Sequence, residues 1–316
     1  MRHLRLIPDD TKIRFMRLRR YTFPLSGVLS IVCALLFATM GFNYGIDFRG
    51  GTLMEILTPE AKADLGAIRH KLTGLGLGDV QIQEFGAPND VLIRIQQQPG
   101  GDAAQQAVIQ KIKGALGDAV TYRRIEVVGP RISGEFVQRG TIAVVLSIIV
   151  VLVYLWFRFE WHFAVGATAA TLHDIVLTIG MFAGLQLDFD LSSIAAILTI
   201  IGYSLNDTVV VYDRIRENLR RYKRMPLPRL LDLSINETLS RTTLTSLTTL
   251  IALVSLYFFG GEVIRSFTFA MIFGVVVGTY SSIYIAAPFL IYMNLRSSTV
   301  AEGTPEKEAP AGSRAG

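Results

Sequence analysis

Apolar positions along this chain gather into long unbroken runs, each of the roughly twenty residues that a helix needs to cross a bilayer. The first covers residues 22–42 and follows a basic stretch, 1–21, in which Arg14, Arg17, Arg19 and Arg20 lead into Tyr21. A cleavable leader starts the same way, but this apolar core is too long and no small-x-small site precedes Asn43, so the run is expected to stay as a span. Five more runs fall at 136–157, 163–185, 191–211, 239–259 and 263–292, the last long enough to tilt or to begin in an interfacial turn. Six spans follow, with residues 136–292 holding spans two to six.

Residues 43–135, between the first two runs, read differently. Period-two alternation predicts strands at 51–57, 80–85, 91–95 and 119–128, and helical spacing predicts amphipathic helices at 61–75 and 103–116. Pro88-Asn89-Asp90 reads as a turn. The order βαββαβ is that of a ferredoxin-like α+β domain, a fold that names no function by itself. The expected class is therefore an α-helical polytopic membrane protein, six transmembrane helices with a ferredoxin-like α+β domain between the first and second. A segment at about 213–237 repeats Ile215, Leu219 and Tyr222 on one helical face, offers Glu217 to Arg221 as a pair, and is broken by Pro226 and Pro228. As a basic amphipathic helix it fits either the anionic headgroups of a phospholipid membrane or a partner protein. The tail, 293–316, is rich in Ala, Gly, Pro and Glu and is expected to be disordered.

Composition sharpens this picture. The chain is 51% hydrophobic and 18% charged, too apolar for a soluble domain of 316 residues. Its net charge of +5 matters less than where the charge sits. Basic residues mark the N-terminus, Arg158 and the 214–229 segment, so the positive-inside rule puts both termini in the cytoplasm and 43–135 outside. Cys33 is the one cysteine, which excludes an intrachain disulfide. With no CxxC, no HExxH and four scattered histidines, a metal site has no support. Neither a phosphate-binding glycine loop nor a nucleic-acid footprint is present, and no nucleophile stands at a recognisable spacing from a base, so no cofactor and no catalytic site are expected.

Candidate chemistry lies in the spans. A charged side chain there costs about 2.5–3.5 kcal/mol on insertion scales, so each needs a reason. Asp174 shares a helical face with Thr171 and Thr178. Asp207 follows Tyr203 by one turn, with Ser204 and Asn206 beside it. Arg241 shares a face with Thr245, Thr248 and Thr249. Asp207 and Arg241 lie at similar heights on consecutive antiparallel spans and are expected to pair, whereas Asp174 sits nearer mid-membrane. A proton or ion pathway and a static pair that fixes helix register both explain Asp207 and Arg241. For Asp174 beside His173, a relay and a buried hydrogen bond to Thr178 or another helix stand as alternatives. Ala270, Gly274, Gly278, Ser282 and Ala286 put small residues along one face of the sixth span, a packing face whose partner helix lies in this chain or another.

Several segments resemble the SecF family. They are Phe42-Asn43-Tyr44-Gly45-Ile46-Asp47-Phe48-Arg49-Gly50-Gly51, Val128-Gly129-Pro130-Arg131-Ile132-Ser133, Leu172-His173-Asp174 and Gly202-Tyr203-Ser204-Leu205-Asn206-Asp207-Thr208-Val209-Val210, the last continuing to Asp213-Arg214-Ile215-Arg216-Glu217-Asn218. Ser240-Arg241-Thr242, Gly260-Gly261 and Gly278-Thr279-Tyr280-Ser281-Ser282-Ile283-Tyr284 complete the set. They run in order through most of the chain and thin out in the middle of 43–135. The resemblance implies a subunit that pairs with SecD in the bacterial inner membrane, acts beside SecYEG and SecA on exported preproteins, and draws on the proton-motive force with protons as the coupling ion. It implies a proton pathway through Asp207 and Arg241, with Asn206 and Asp174 as further candidates. A small-solute exporter is the rival from another class, but a domain of about ninety residues leaves little room for a large binding funnel. A non-catalytic scaffold is the other rival, and it predicts that the buried charges are exchangeable.

Overall fold

The computed structural model describes residues 11–295 apart from 79. The expected disorder of the tail falls outside them beyond residue 295, as does the basic stretch before residue 11. Among the described residues, six helices are long and apolar enough to cross a membrane. They are α1 (Phe15–Met40), α5 (Pro130–Arg158), α6 (Trp161–Leu185), α7 (Leu191–Arg221), α8 (Leu227–Phe259) and the path from α9 (Arg265–Ser281) through a π-helical turn (Ser282–Ala286) into α10 (Ala287–Tyr292). Over half of the apolar window of α6 and of the sixth path is buried and half of that of α7, against 11% for each of α1, α5 and α8. So α6, α7 and α9 form the centre, and the other three line the outside, where apolar side chains face the bilayer.

Between α1 and α5 lie β1 (Asn43–Tyr44), α2 (Ile46–Arg49), β2 (Gly51–Leu57), α3 (Leu65–Thr73), β3 (Val80–Phe85), β4 (Ala87–Ile95), α4 (Gly101–Leu116) and β5 (Thr121–Val128). The four longer strands form an antiparallel sheet in the order β3-β4-β2-β5, the arrangement expected of the ferredoxin-like βαββαβ unit. Alternate side chains serve two cores. Met54, Ile56 and Ile93 meet Leu72 of α3 and Ile112 of α4 on one face, while Leu53, Leu92 and Val128 meet Ile46 and Phe136 on the other. That second face seats the domain on the bundle. Pro88-Asn89-Asp90, expected as a turn, lies inside β4, and the reversal occurs at Gly86 (φ 79°). Pro88 can occupy this strand end because the ladder shifts register between Glu84 and Phe85.

The 213–237 segment does not form a separate surface helix. α7 has 31 residues and α8 has 33, about 46 and 50 Å at 1.5 Å per residue, so both run well past a hydrocarbon core of about 30 Å. The segment is the protruding ends of these two helices, joined by a short turn at Pro226. Its apolar face is covered by α8 rather than by headgroups. Ile215 and Asn218 are buried, and Asn218 Nδ2 donates to Ser234 Oγ at 3.0 Å and Glu237 Oε2 at 2.6 Å. Glu217 pairs with Arg214 at 2.6 Å instead of with Arg221, because Arg214 also reaches Glu237 at 2.7 Å and so holds the carboxylates together. The start of α1 docks beside them: Met16 N donates to Asp232 Oδ1 at 2.8 Å and Ile13 N to Asn236 Oδ1 at 3.0 Å. Among the described residues, the basic positions of 12–20, Arg158 and the 214–229 segment therefore cluster at the end of the bundle away from the sheet.

Candidate functional site

The polar centre of the bundle is built where α6, α7 and α9 cross. The small-residue face of the sixth path makes the crossing possible: Ala270, Gly274, Gly278, Ser282 and Ala286 are all buried. A Cβ on Gly278 would lie 3.0 Å from Ser204 Cβ and 3.1 Å from its Cα, and one on Gly274 would run into Ile200. The partner of this face is thus α7 of the same chain. With the backbones this close, Ser204 Oγ donates to Asp174 Oδ2 at 2.5 Å and Ser281 Oγ to the same oxygen at 2.6 Å. His173 Nδ1 lies 2.9 Å from Asp174 Oδ1. Asp174 is 1% exposed, so one buried carboxylate ties three helices together. Thr178 binds the Asp174 carbonyl at 2.8 Å rather than its carboxylate. The ring nitrogen His173 Nε2 and the hydroxyl of Tyr203 are buried without a hydrogen-bond partner among the described residues.

Asp207 occupies a second polar pocket on the α8 side of α7. It is 2% exposed. Its Oδ2 accepts a long 3.5 Å hydrogen bond from Ser246 Oγ, which lies 2.8 Å from Thr279 Oγ1. The expected contact with Arg241 is not made, and neither residue takes part in an ion pair among the described residues. The reason is helical phase. The inward face of α8 is Thr238, Thr242 and Ser246, so the stripe predicted from Arg241, Thr245, Thr248 and Thr249 is rotated away from the interior, with Arg241 and Thr248 exposed. Thr245, Thr248 and Thr249 each bind a carbonyl of the preceding turn. Arg241 instead lines a cleft of about 630 Å³ between α7 and α8, with Asn206, Asp213, Arg214, Glu217 and Glu237. Asn206 is exposed, facing the cleft on the outer side of α7 while its neighbour Asp207 faces in.

Two polar groups were not singled out from sequence. Ser281 stands within a quoted motif but carries no pattern that ties it to Asp174. Tyr212, fully buried, donates to the Ala286 carbonyl at 2.9 Å, just where the π turn precedes Pro288. The sequence carries no local signal for this pairing, because the N–H that Pro288 lacks would serve the carbonyl of residue 284 or 283 rather than that of Ala286.

The comparisons with known proteins agree with this architecture. The family described as Protein export membrane protein SecD/SecF, C-terminal, matches residues 108–296, and the SecD/SecF GG Motif matches residues 35–58. Protein translocase subunit SecF of Cereibacter sphaeroides is 45% identical over 320 residues, covering 98% of this chain and 97% of that one. Protein translocase subunit SecDF of Brucella abortus is 48% identical over 295 residues, covering 93% of this chain but 39% of that longer one. The crystal structure of SecDF from Thermus thermophilus superposes with a TM-score of 0.82 at 35% identity, covering 92% of this chain and 40% of that one. The chain thus spans about two fifths of these SecDF relatives and nearly all of the SecF relative. The GG motif has a structural cause here: Gly51 sits at φ 125° and a Cβ on it would strike the Ile95 carbonyl, so β2 can lie this close to β4 only without a side chain.

Proposed function

This chain belongs to the SecD/SecF family of protein export membrane proteins, and from that premise we propose that it is a proton-coupled translocase subunit whose working group is Asp207. One observation carries the reading: a buried carboxylate that accepts a long hydrogen bond from a hydroxyl, on a helix that borders the cleft lined by Arg241. Approach of a guanidinium favours the ionised carboxylate, and its withdrawal favours the protonated one. Each proton crossing supplies about 2.3 kcal/mol per 100 mV. Alternation between the two states lets α8 repack on α7, and the outer domain moves with them. Ser204 and Ser281 satisfy Asp174 in place, which favours a structural role for it.

The proposed setting is the bacterial inner membrane, with both termini cytoplasmic and the sheet domain outside. Clustering of Lys12, Arg14, Arg17, Arg19, Arg20 and the α7–α8 turn at one end supports that orientation. SecD is the proposed partner. Its contact surface is the exposed stripe Ala195, Thr199, Gly202 and Asn206 on α7, small and polar positions on one helical face that suit a close helix contact better than lipid. SecYEG, SecA and exported preproteins complete the proposed assembly, on the strength of the family.

The test is export of a secreted reporter into vesicles that hold a proton gradient, with Asp207→Asn in place of the native residue and normal retention of SecD. Loss of the gradient-dependent part alone is the expected result. Normal export would show that the carboxylate is structural.

A further inference from the structure

The sheet domain and the bundle meet at a joint centred on one carboxylate. Asn43 and Tyr44, leaving α1, pair in parallel with β6 (Asp188–Phe189), the residues that lead into α7. Arg94 of β4 reaches out of the sheet and binds Asp188 Oδ2 through its guanidinium. Asn43 Nδ2 donates to the other oxygen of Asp188 at 2.9 Å. Beside them, Asp47 Oδ2 accepts from Leu191 N at 3.0 Å, and Asp190 and Ser193 form a reciprocal cap on the first turn of α7. Phe42 stacks on Phe189 with centroids 4.1 Å apart and planes 6° from parallel. Sheet, first span and fourth span are thus tied at Asp188.

What this joint holds is the head of the helix that carries Asp207. From Leu191 to Asp207 α7 is unbroken, about 24 Å at 1.5 Å per residue. A hydrogen-bonded helix moves along its axis as a rigid element, and packed junctions respond by switching rather than by stretching. The Arg94 side chain is 12% exposed. The Asp188 side chain is 28% exposed, so water screens this pair less than a fully exposed one, and loss of Asp188 strands the largely buried guanidinium.

We propose that Arg94 and Asp188 form the transmission contact between the bundle and the outer domain, fixing the sheet to the head of α7 so that a displacement of α7 is delivered to the sheet as a rigid movement. The two are positioning residues, acting through α7 rather than on the proton. The proposal rests on the reading of Asp207 as the coupled group.

The experiment uses the full complex with SecD in vesicles, in a background in which Cys33 is replaced by Ala. Spin labels at Gln83→Cys on β3 and Arg220→Cys near the far end of α7 report the sheet-to-helix distance. Asp207→Asn mimics the protonated state, and export is read on the same unlabelled variants. The expected result is a narrow distribution that shifts with Asp207→Asn. In Arg94→Gln or Asp188→Asn it becomes broad and unresponsive, and gradient-dependent export falls at least fivefold. The exchange Arg94→Asp with Asp188→Arg restores both, since the Asn43 amide can turn its oxygen to the relocated guanidinium. Arg94→Lys, which keeps the charge but loses the fork, gives an intermediate width and serves if the neutral variants do not accumulate.

Distances in the neutral variants, or in Arg94→Lys alone, that follow Asp207→Asn as the wild type does would overturn the proposal. So would an exchange as inert as the single changes. A wild-type distance indifferent to Asp207→Asn, with export still lost, overturns the transmission contact and leaves the proton reading standing. Normal export by Asp207→Asn overturns both.

Discussion

Asp207 and Arg241 stand on adjoining helices and do not touch: the carboxylate turns inward to Ser246, the guanidinium outward into the cleft between α7 and α8. A static pair that fixes helix register would require them in contact. Their separation makes a measurable difference to what removal of the arginine does.

Breaking a buried ion pair costs about 3–5 kcal/mol, because one charge is stranded. An exposed side chain without such a partner changes stability by about 0.5 kcal/mol or less. Arg241→Gln is therefore expected to accumulate and unfold like the wild type in detergent while losing gradient-dependent export. A fall in thermal stability comparable to a broken buried pair would mean that the two residues are engaged in the resting protein.

Asp174 is expected to behave in the opposite way. Asp174→Ala strands the Ser204 hydroxyl and leaves a cavity where three helices cross, a loss of about 2–4 kcal/mol. Asp174→Asn keeps an acceptor for the serines and an amide for His173, and is expected to cost about 1 kcal/mol with export retained. Thermal unfolding of the two variants side by side checks the order. Equal losses would mean that the charge, not the hydrogen bonding, holds the helices.

Two glycines separate packing inside the chain from packing against a partner. Gly278→Val forces α9 away from Ser204 and is expected to cost about 1–3 kcal/mol. A Cβ on Gly202 meets nothing within 4 Å in this chain, so Gly202→Leu leaves the isolated subunit as stable as before. Because Gly202 lies on the stripe assigned to SecD, the same change is expected to reduce co-purification with SecD several-fold. Undiminished co-purification would place the partner on another face.

The joint at the head of α7 carries a pH dependence. Burial, opposed by the Leu191 N–H and reinforced by Asp190 and Glu126, holds the Asp47 carboxyl above the usual aspartate range. The folded state then binds the proton more tightly than the unfolded one, so this group's contribution is full below the ordinary aspartate value and is lost as pH rises through the elevated one. Hydrogen-exchange protection of the Leu191 amide is expected to fall across that window in the wild type. In Asp47→Asn, which keeps the acceptor without the charge, it is expected to stay level. Parallel curves for both proteins would remove Asp47 as the source.

Much of this molecule is determined by sequence alone. Six apolar runs of spanning length, a βαββαβ alternation and the basic ends are one-dimensional signals, because the bilayer demands internally hydrogen-bonded helices and the pleat demands period two. Asp174, Asp207 and Arg241 were legible as charges in the wrong solvent. Which of them meet was decided in three dimensions. A helix advances 100° per residue, so reading the α8 stripe from Arg241 rather than from Thr242 turned the arginine inward when it faces out. The serines on Asp174 come from helices 30 and 107 positions away along the chain, a pairing set by how closely Gly278 lets α9 approach α7. Likewise the pairing of Asp188 with Arg94 was set by the sheet, which, seated through Leu53, Leu92 and Val128, brings Arg94 down onto it. Hydrophobic pattern fixes which residues enter the membrane or the core, but the rotation and depth of each helix follow from packing against neighbours distant in the chain.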